Sequence, residues 1–337
     1  MKRYLGVDLH RTQFTVCTRW ESGRTYLRQW PIKELKLFAG QLRKGDEIAV
    51  EATGNTRLFY DAVVEHVERV AVVNPAQFKV ISQSVKKTDR NDAELLALYL
   101  AKGLLPEVRM KERNQREMSH LAQTRDLLVK QRSALKAKIN NLLSAEGINL
   151  KREALSSNKA LERVLTLPLS PLMRAELRVL AGQIRSLNGS IAELEEMIEE
   201  EGPRLAGHEN LMSIKGIGPV SAAVLLSVIG DIRDFSDPGK LAAYLGLVPR
   251  VANSNETEHS GHITKQGNKL ARTTLVQCAL IAKRYSSYLQ QFYQRIQRRR
   301  GGGKANIALA RKFLGVIYYT LKNNWVFEDF PNFVLAS

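Results

Sequence analysis

Three strand-like segments follow one another before any helical pattern begins, and that opening most narrows the folds available to this chain. Tyr4–Asp8 reads as a buried strand, Phe14–Arg19 alternates as its hairpin partner, and Thr25–Trp30 reads as a third strand. The pattern then changes. Leu35–Leu42 has the spacing of a short amphipathic helix. Glu47–Glu51 is a strand closed by the turn signal Ala52-Thr53-Gly54-Asn55. Leu58–Val67 is helical, Val70–Val73 is a strand closed by Asn74-Pro75, and Asp92–Leu104 is a helix. The order βββαβαβα predicts an α/β layer that opens with an antiparallel run. A doubly wound nucleotide fold fits less well, because no Gly-x-Gly-x-x-Gly follows the first strand.

The pattern to about residue 108 fits a ribonuclease-H-like α/β layer, and beyond it the chain turns helical. Over residues 109–205, Leu121, Leu128, Leu135 and Leu142 recur every seven positions. After a break near Pro168–Pro171 come Leu177, Leu180, Ile184, Leu187, Ile191, Leu194 and Ile198, in alternating steps of three and four. That is the seam of a coiled coil, and the acid run Glu193–Glu201 ends it. The seam fits two helices of an intramolecular bundle and an antiparallel arm that dimerises equally well, because a heptad pattern does not reveal whose helix fills it.

Residues 206–325 are also mostly helical. Leu211–Ile214 leads into Lys215-Gly216-Ile217-Gly218-Pro219 and then Val220–Ile229, a helix-hairpin-helix-like element. Its glycines allow close backbone approach, and the second helix directs N–H groups at whatever lies there, which suits a phosphodiester. An ordinary tight helix–helix turn has the same signature. A helix over Lys240–Leu247, a long helix over Lys269–Arg299, a break at Gly301-Gly302-Gly303 and a closing helix over Ala305–Leu321 complete the block, with residues 326–337 as a tail.

Charge is distributed unevenly over these blocks. The chain of 337 residues has a formal net charge of +17. Residues 211–337 carry 17 basic and 7 acidic side chains, whereas residues 111–210 carry 16 and 14. Such a stripe predicts an anionic, polyphosphate partner. The two cysteines, Cys17 and Cys278, exclude a disulfide scaffold and point to a reducing, cytoplasmic setting. The longest apolar run, Ser221–Gly230, is too short to span a bilayer, and the chain start forms no signal-like apolar core. No membrane role is expected.

Four carboxylates have the makings of a metal site. Asp8 stands in an otherwise apolar strand, where a charge is costly unless it is paired or metal-bound. Glu51 ends a strand that this fold places nearby. Asp89 and Asp92, three apart at a helix start, share one face. Converging acids resist ionisation unless cations neutralise them, and two Mg²⁺ ions would do so while clamping the attacking and leaving oxygens of a phosphoryl transfer. Taken singly, Asp89 also suits a helix N-cap with Asp92 in the first turn, Asp8 a turn, and Glu51 a surface strand end. No zinc spacing, Walker loop or Ser-His-Asp pattern competes.

These segments together carry a family resemblance. Gly6-Val7-Asp8, Val50-Glu51-Ala52-Thr53-Gly54, Thr88-Asp89-Arg90-Asn91-Asp92-Ala93, Ile214-Lys215-Gly216-Ile217-Gly218 and Ile263-Thr264-Lys265-Gln266-Gly267-Asn268, in that order, resemble the DEDD transposases of bacterial insertion sequences. Those are bridge-RNA-guided recombinases with a RuvC-like N-terminal domain and a C-terminal transposase domain. The resemblance implies that Asp8, Glu51, Asp89 and Asp92 form a RuvC-like Mg²⁺ site. It also implies a serine nucleophile after Leu247-Val248-Pro249, which is Ser254. Asn255 stands where family members often have glycine, and Ser260 competes for the role. Lys215, Gly216, Gly218, Lys265 and Arg272 are the expected nucleic-acid contacts. The expected partners are donor and target double-stranded DNA, a noncoding guide RNA and further copies of the chain, as a dimer or tetramer, in a nucleoid-associated cytoplasmic enzyme. A Mg²⁺-dependent junction endonuclease without a covalent intermediate, and a noncatalytic nucleic-acid-binding protein, stand as alternatives.

Overall fold

The computed structural model describes residues 2–75, 78, 88–151, 155–254 and 257–335, and for residues 251–254 and 257–260 the backbone alone. The chain divides into two compact units, Met1–Met110 and Lys111–Ser337.

The first unit is built on one mixed sheet. Its strands are β1 (Arg3–Leu9), β2 (Gln13–Trp20), β3 (Thr25–Pro31), β4 (Asp46–Glu51) and β5 (Arg69–Val73), in the order β3-β2-β1-β4-β5. β1, β2 and β3 pair antiparallel, while β4 and β5 run parallel to β1. Helices α1 (Leu35–Ala39) and α2 (Thr56–Val63) cover one face, and α3 (Asp89–Ala101) the other. On the first face Leu5, Val7 and Val50 bury against Phe38 and Phe59, and Phe14 meets both rings edge-on.

The second face is lined with small residues. Gly6 and Ala49 are paired neighbours on β1 and β4, and Ala93 and Ala97 of α3 are fully buried over this face. A Cβ on Gly6 would stand 2.0 Å from the Ala93 carbonyl oxygen and 2.4 Å from the Ala97 nitrogen, so the helix backbone lies directly on the strand. The β1–β4 register is pinned at its far end. There Arg3 Nε donates to Asp46 Oδ1 at 2.8 Å, and Asp46 also accepts from the Arg43 N–H at 2.8 Å.

The second unit holds the long helices α4 (Arg113–Ala145) and α6 (Pro171–Glu201), with α5 (Asn158–Leu165) between them. α4 and α6 run antiparallel: Arg125 reaches Glu195 at 2.7 Å and Arg132 reaches Asn188 at 2.9 Å. Leu177, Ile184, Ile191 and Ile198, seven apart, are buried, while Leu180, Leu187 and Leu194 are only half-buried. The chain therefore fills the first row of its seam with its own α4. On α4 the buried apolar residues are Met118, Ala122, Ile139 and Leu143, and the expected row Leu121, Leu128, Leu135, Leu142 is displaced to its half-covered edge.

The rest of this unit comprises α7 (His208–Met212), α8 (Pro219–Ile229), α9 (Pro238–Tyr244), the hairpin β6 (Pro249–Ser254) and β7 (Thr257–Ile263), α10 (Lys269–Ala282) and α11 (Ser287–Lys322). Two expectations are corrected and one is met here. The helix expected over Lys269–Arg299 stops at Ala282, because Ser286 caps a new helix by accepting the Leu289 N–H. The break expected at the triglycine is present as a kink: Gly301 leaves helical geometry (φ 77°, ψ 167°), and two helical stretches of α11 meet across it. Around Ser254, where the sequence reading places no strand, the chain forms a strand pair, with Ser254 opposite Thr257.

Candidate functional site

The small-residue face of the first sheet determines where its charges gather. Side chains alternate along a strand, so Asp8 shares the face of Gly6, and Glu51 shares the face of Ala49. Because α3 rests on Gly6, its first turn, with Asp89 and Asp92, comes down over the ends of β1 and β4. Thr88, not Asp89, is the N-cap, accepting the Asn91 N–H at 3.3 Å, so the capping role considered for Asp89 belongs to its neighbour. After Glu51 the chain turns sharply: Thr56 Oγ1 donates to the Glu51 carbonyl at 2.7 Å and accepts the Thr53 N–H at 2.7 Å.

Asp8 and Glu51 respond to the acids around them. Burial, and then the charges of Asp89 and Asp92, push the Asp8 carboxyl above its ordinary range, against the opposing pull of His10. Burial, and then Asp8 and Asp92, do the same to Glu51. Such a set holds excess negative charge in a partly dry place, which suits a hard divalent cation with oxygen ligands. The residues present thus fit the divalent metal typical of DEDD transposases.

His10 was not among the expected site residues. Its Nε2 lies 3.2 Å from Asp8 Oδ2 and 3.3 Å from Asp89 Oδ1. One ligand atom from each of Asp8, His10 and Asp89 falls within 4.8 Å of the others. Burial lowers the His10 pKa, but the charges of Asp8 and Asp89 outweigh it and leave it raised. The sequence signal was Asp8-Leu9-His10: two residues apart at a strand end, both side chains emerge on one face.

In the second unit the expected residues occupy three places. Lys215 is exposed in the α7–α8 turn. Gly216 (φ 107°) is needed there, since a Cβ would come within 2.7 Å of the Ala282 nitrogen. Gly218 caps α8 without a side-chain bond. The segment Thr264–Asn268 is clamped to the end of α9. A Cβ on Gly246 would meet the Gln266 oxygen at 2.1 Å, and one on Gly267 the Tyr244 oxygen at 2.1 Å. Arg272 Nη1 donates to the Leu245 and Gln266 carbonyls at 3.0 Å each, so part of its guanidinium holds this loop. Lys265 is exposed, with a left-handed backbone (φ 55°). Ser254 ends β6 and Ser260 lies in β7; their side chains fall outside the described residues.

Among the described residues, no helix is long and apolar enough to cross a membrane. Comparison with known proteins gives two family matches in chain order. Residues 5–146 match the DEDD transposase model of the IS110 group, described as "Transposase", and residues 208–294 match the "Transposase IS116/IS110/IS902 family". The transposase for insertion sequence element IS1111A of Coxiella burnetii is 28% identical over 327 residues, covering 95% of this chain and 89% of its own length. A probable family 20 transposase of Pseudomonas aeruginosa is 29% identical, covering 81% of this chain and 83% of its own. The pilin gene-inverting protein of Moraxella bovis is 27% identical, covering 97% and 98%. The two matches, over residues 5–146 and 208–294, and these relatives identify the chain as a DNA transposase/recombinase similar to the IS110/IS116 DEDD transposases.

Proposed function

We propose that this chain cuts and rejoins DNA strands by transesterification, with Asp8, Glu51, Asp89 and Asp92 holding Mg²⁺ and Ser254 as the nucleophile. The observation that carries the reading is that Asp8 feels the charges of Asp89 and Asp92, and Glu51 those of Asp8 and Asp92, on the small-residue face of the first sheet. The strand order β3-β2-β1-β4-β5 supports a ribonuclease-H-like, RuvC-like identity for that unit. The bound divalent cation supplies a Lewis acid that polarises the phosphoryl group and stabilises the attacking and leaving oxygens. The carboxylates hold it by their oxygens, and the α3–Gly6 contact fixes where two of them stand.

In the first step the Ser254 Oγ–phosphorus bond forms and a P–O ester bond of the strand breaks. The serine proton is lost and the freed sugar hydroxyl takes one up. A hydroxyl of the partner duplex then attacks the phosphoserine link and restores Ser254. One phosphodiester is broken and one made, so no ATP is required. The Moraxella relative is named for inverting a gene, and inversion demands rejoining as well as cutting, which favours this chemistry over hydrolysis. Lys215, Gly216, Gly218, Lys265 and Arg272 are proposed backbone contacts, and Arg272 also holds the Lys265 loop in place. A structured noncoding RNA is proposed to pair with donor and target DNA while the protein reads shape and backbone. The half-buried row Leu180, Leu187 and Leu194 is the proposed contact of a dimer or tetramer.

Denaturing electrophoresis of a nicked substrate, with the RNA supplied, tests the reading. Wild type is expected to leave a Mg²⁺-dependent covalent protein–DNA adduct that Ser254→Ala and Asp8→Asn both lose. An adduct that survives Ser254→Ala moves the nucleophile elsewhere, with Ser260 next. Cutting without an adduct identifies a hydrolytic junction endonuclease, and binding without cutting a noncatalytic protein.

A further inference from the structure

The carboxylates account for oxygen ligands only, yet an imidazole nitrogen stands close to both Asp8 and Asp89 at the site. His10 Nε2 faces Asp8 Oδ2 at 3.2 Å and Asp89 Oδ1 at 3.3 Å. A ring nitrogen carries at most one hydrogen, so it can bond both oxygens only by splitting that hydrogen between them in a weaker three-centre contact. Three donor atoms around a common point are instead the arrangement of ligands about an ion. With metal–ligand bonds of about 2.0–2.2 Å, neighbouring ligands stand about 3.0–3.4 Å apart, and both His10 separations fall in that window.

The backbone holds the ring there. The His10 N–H donates to the Gln13 carbonyl at 2.9 Å, closing the turn between β1 and β2. Its carbonyl accepts from Asn55 Nδ2 at 3.2 Å. Asn55 comes from the turn that follows Glu51, so the segment that places one carboxylate also fixes the histidine.

We propose that His10 is a nitrogen ligand of the same cation that Asp8 and Asp89 bind, and that Asn55 is its positioning residue. The inference rests on the carboxylate metal site proposed above. Mg²⁺ prefers oxygen ligands, whereas imidazole suits first-row transition metals. His10 therefore biases the site toward Mn²⁺ and similar ions relative to an all-carboxylate set.

The test is Mn²⁺ titrated into the purified full-length protein, read by electron spin-echo envelope modulation. Wild type is expected to show ¹⁴N coupling to Mn²⁺ that converts to the ¹⁵N pattern when histidine is isotopically labelled, a readout that needs no variant. His10→Gln is expected to lose the coupling, to bind Mn²⁺ about tenfold or more weakly, and to lose less affinity for Mg²⁺. Asn55→Ala is expected to weaken the coupling. If Mn²⁺ binds and Asp8→Asn abolishes binding, but wild type shows no nitrogen coupling or His10→Gln retains it, the histidine proposal is overturned and the carboxylate site stands. If wild type binds no Mn²⁺, or Asp8→Asn leaves binding unchanged, the carboxylate reading fails and the histidine proposal with it.

Discussion

At the scale of single residues, the site trades stability for charge. Asp8 and Glu51 are carboxyls whose pKa the fold raises, mainly by burial and then by like charges. Such a group binds its proton more tightly in the folded state than in the unfolded one. The metal-free protein therefore loses stability as pH rises through the carboxylate range, and regains it on acidification to the unfolded pKa. Asp8→Asn removes one of the repelling charges. It should raise the melting temperature of the metal-free protein at pH 7, flatten that pH dependence, and cut strand cleavage by about 10³-fold or more. A variant that melts lower would show that Asp8 is held by a favourable partner instead. Gly6 gives the complementary prediction. Gly6→Ala drives a methyl into the Ala93 carbonyl, which should cost about 1–3 kcal/mol and weaken metal binding by moving Asp89 and Asp92. Gly54→Ala, with nothing within 4 Å of its Cβ, should change neither; melting curves and Mn²⁺ titration of the pair check this.

At the scale of elements, what the sequence revealed depended on how local its cause was. The five strands of the first sheet carry period-two apolar patterns, and the observed ends differ from the expected ones by a residue or two. Convergence of the four acids was legible because Asp8 breaks an apolar strand and Asp89 and Asp92 share a helical face. His10 escaped notice because its meaning depends on Asp89, 79 positions away. The β6–β7 hairpin escaped because its residues are mostly polar and carry no alternating apolar pattern, although its pairing is local. The stop after Ala282 rests on a serine cap inside a region of continuous helical propensity, a signal too small to read without the structure. The heptad seam was legible as a period but not as a partner, and its two rows can be tested apart. Ile184→Ala, fully buried, should destabilise the second unit by about 2–5 kcal/mol. Leu187→Ala, half-buried, should cost less; if its row is the contact between copies, it should lower the assembly's mass in light scattering with little change in melting.

At the scale of the whole molecule, the charge has a division that composition alone conceals. The acids that matter are held in the first unit, while no Asp or Glu occurs between Glu258 and Glu328 of the second. Many basic residues earlier in the second unit are already engaged, as Arg125 is with Glu195 and Arg204 with Glu201. Arg298, Arg299, Arg300 and Lys304 are exposed around the Gly301 kink of α11, in that acid-free stretch. Cations without carboxylate partners keep their full attraction for phosphate, and each phosphate they neutralise releases condensed counterions. The dependence of log affinity on log salt counts those contacts, at about 0.9 per phosphate on double-stranded DNA. Replacing Arg298, Arg299 and Arg300 together by Ala should therefore lower the slope by up to about 3 and weaken binding to unrelated sequences alike. Arg125→Ala, which removes a cation already committed to Glu195, should leave the slope unchanged. Fluorescence anisotropy of duplex DNA across a salt series reads both. A triple variant with the wild-type slope would place the nucleic-acid footprint away from the α11 kink, and the thirteen basic residues between Lys265 and Lys322 would then need another partner.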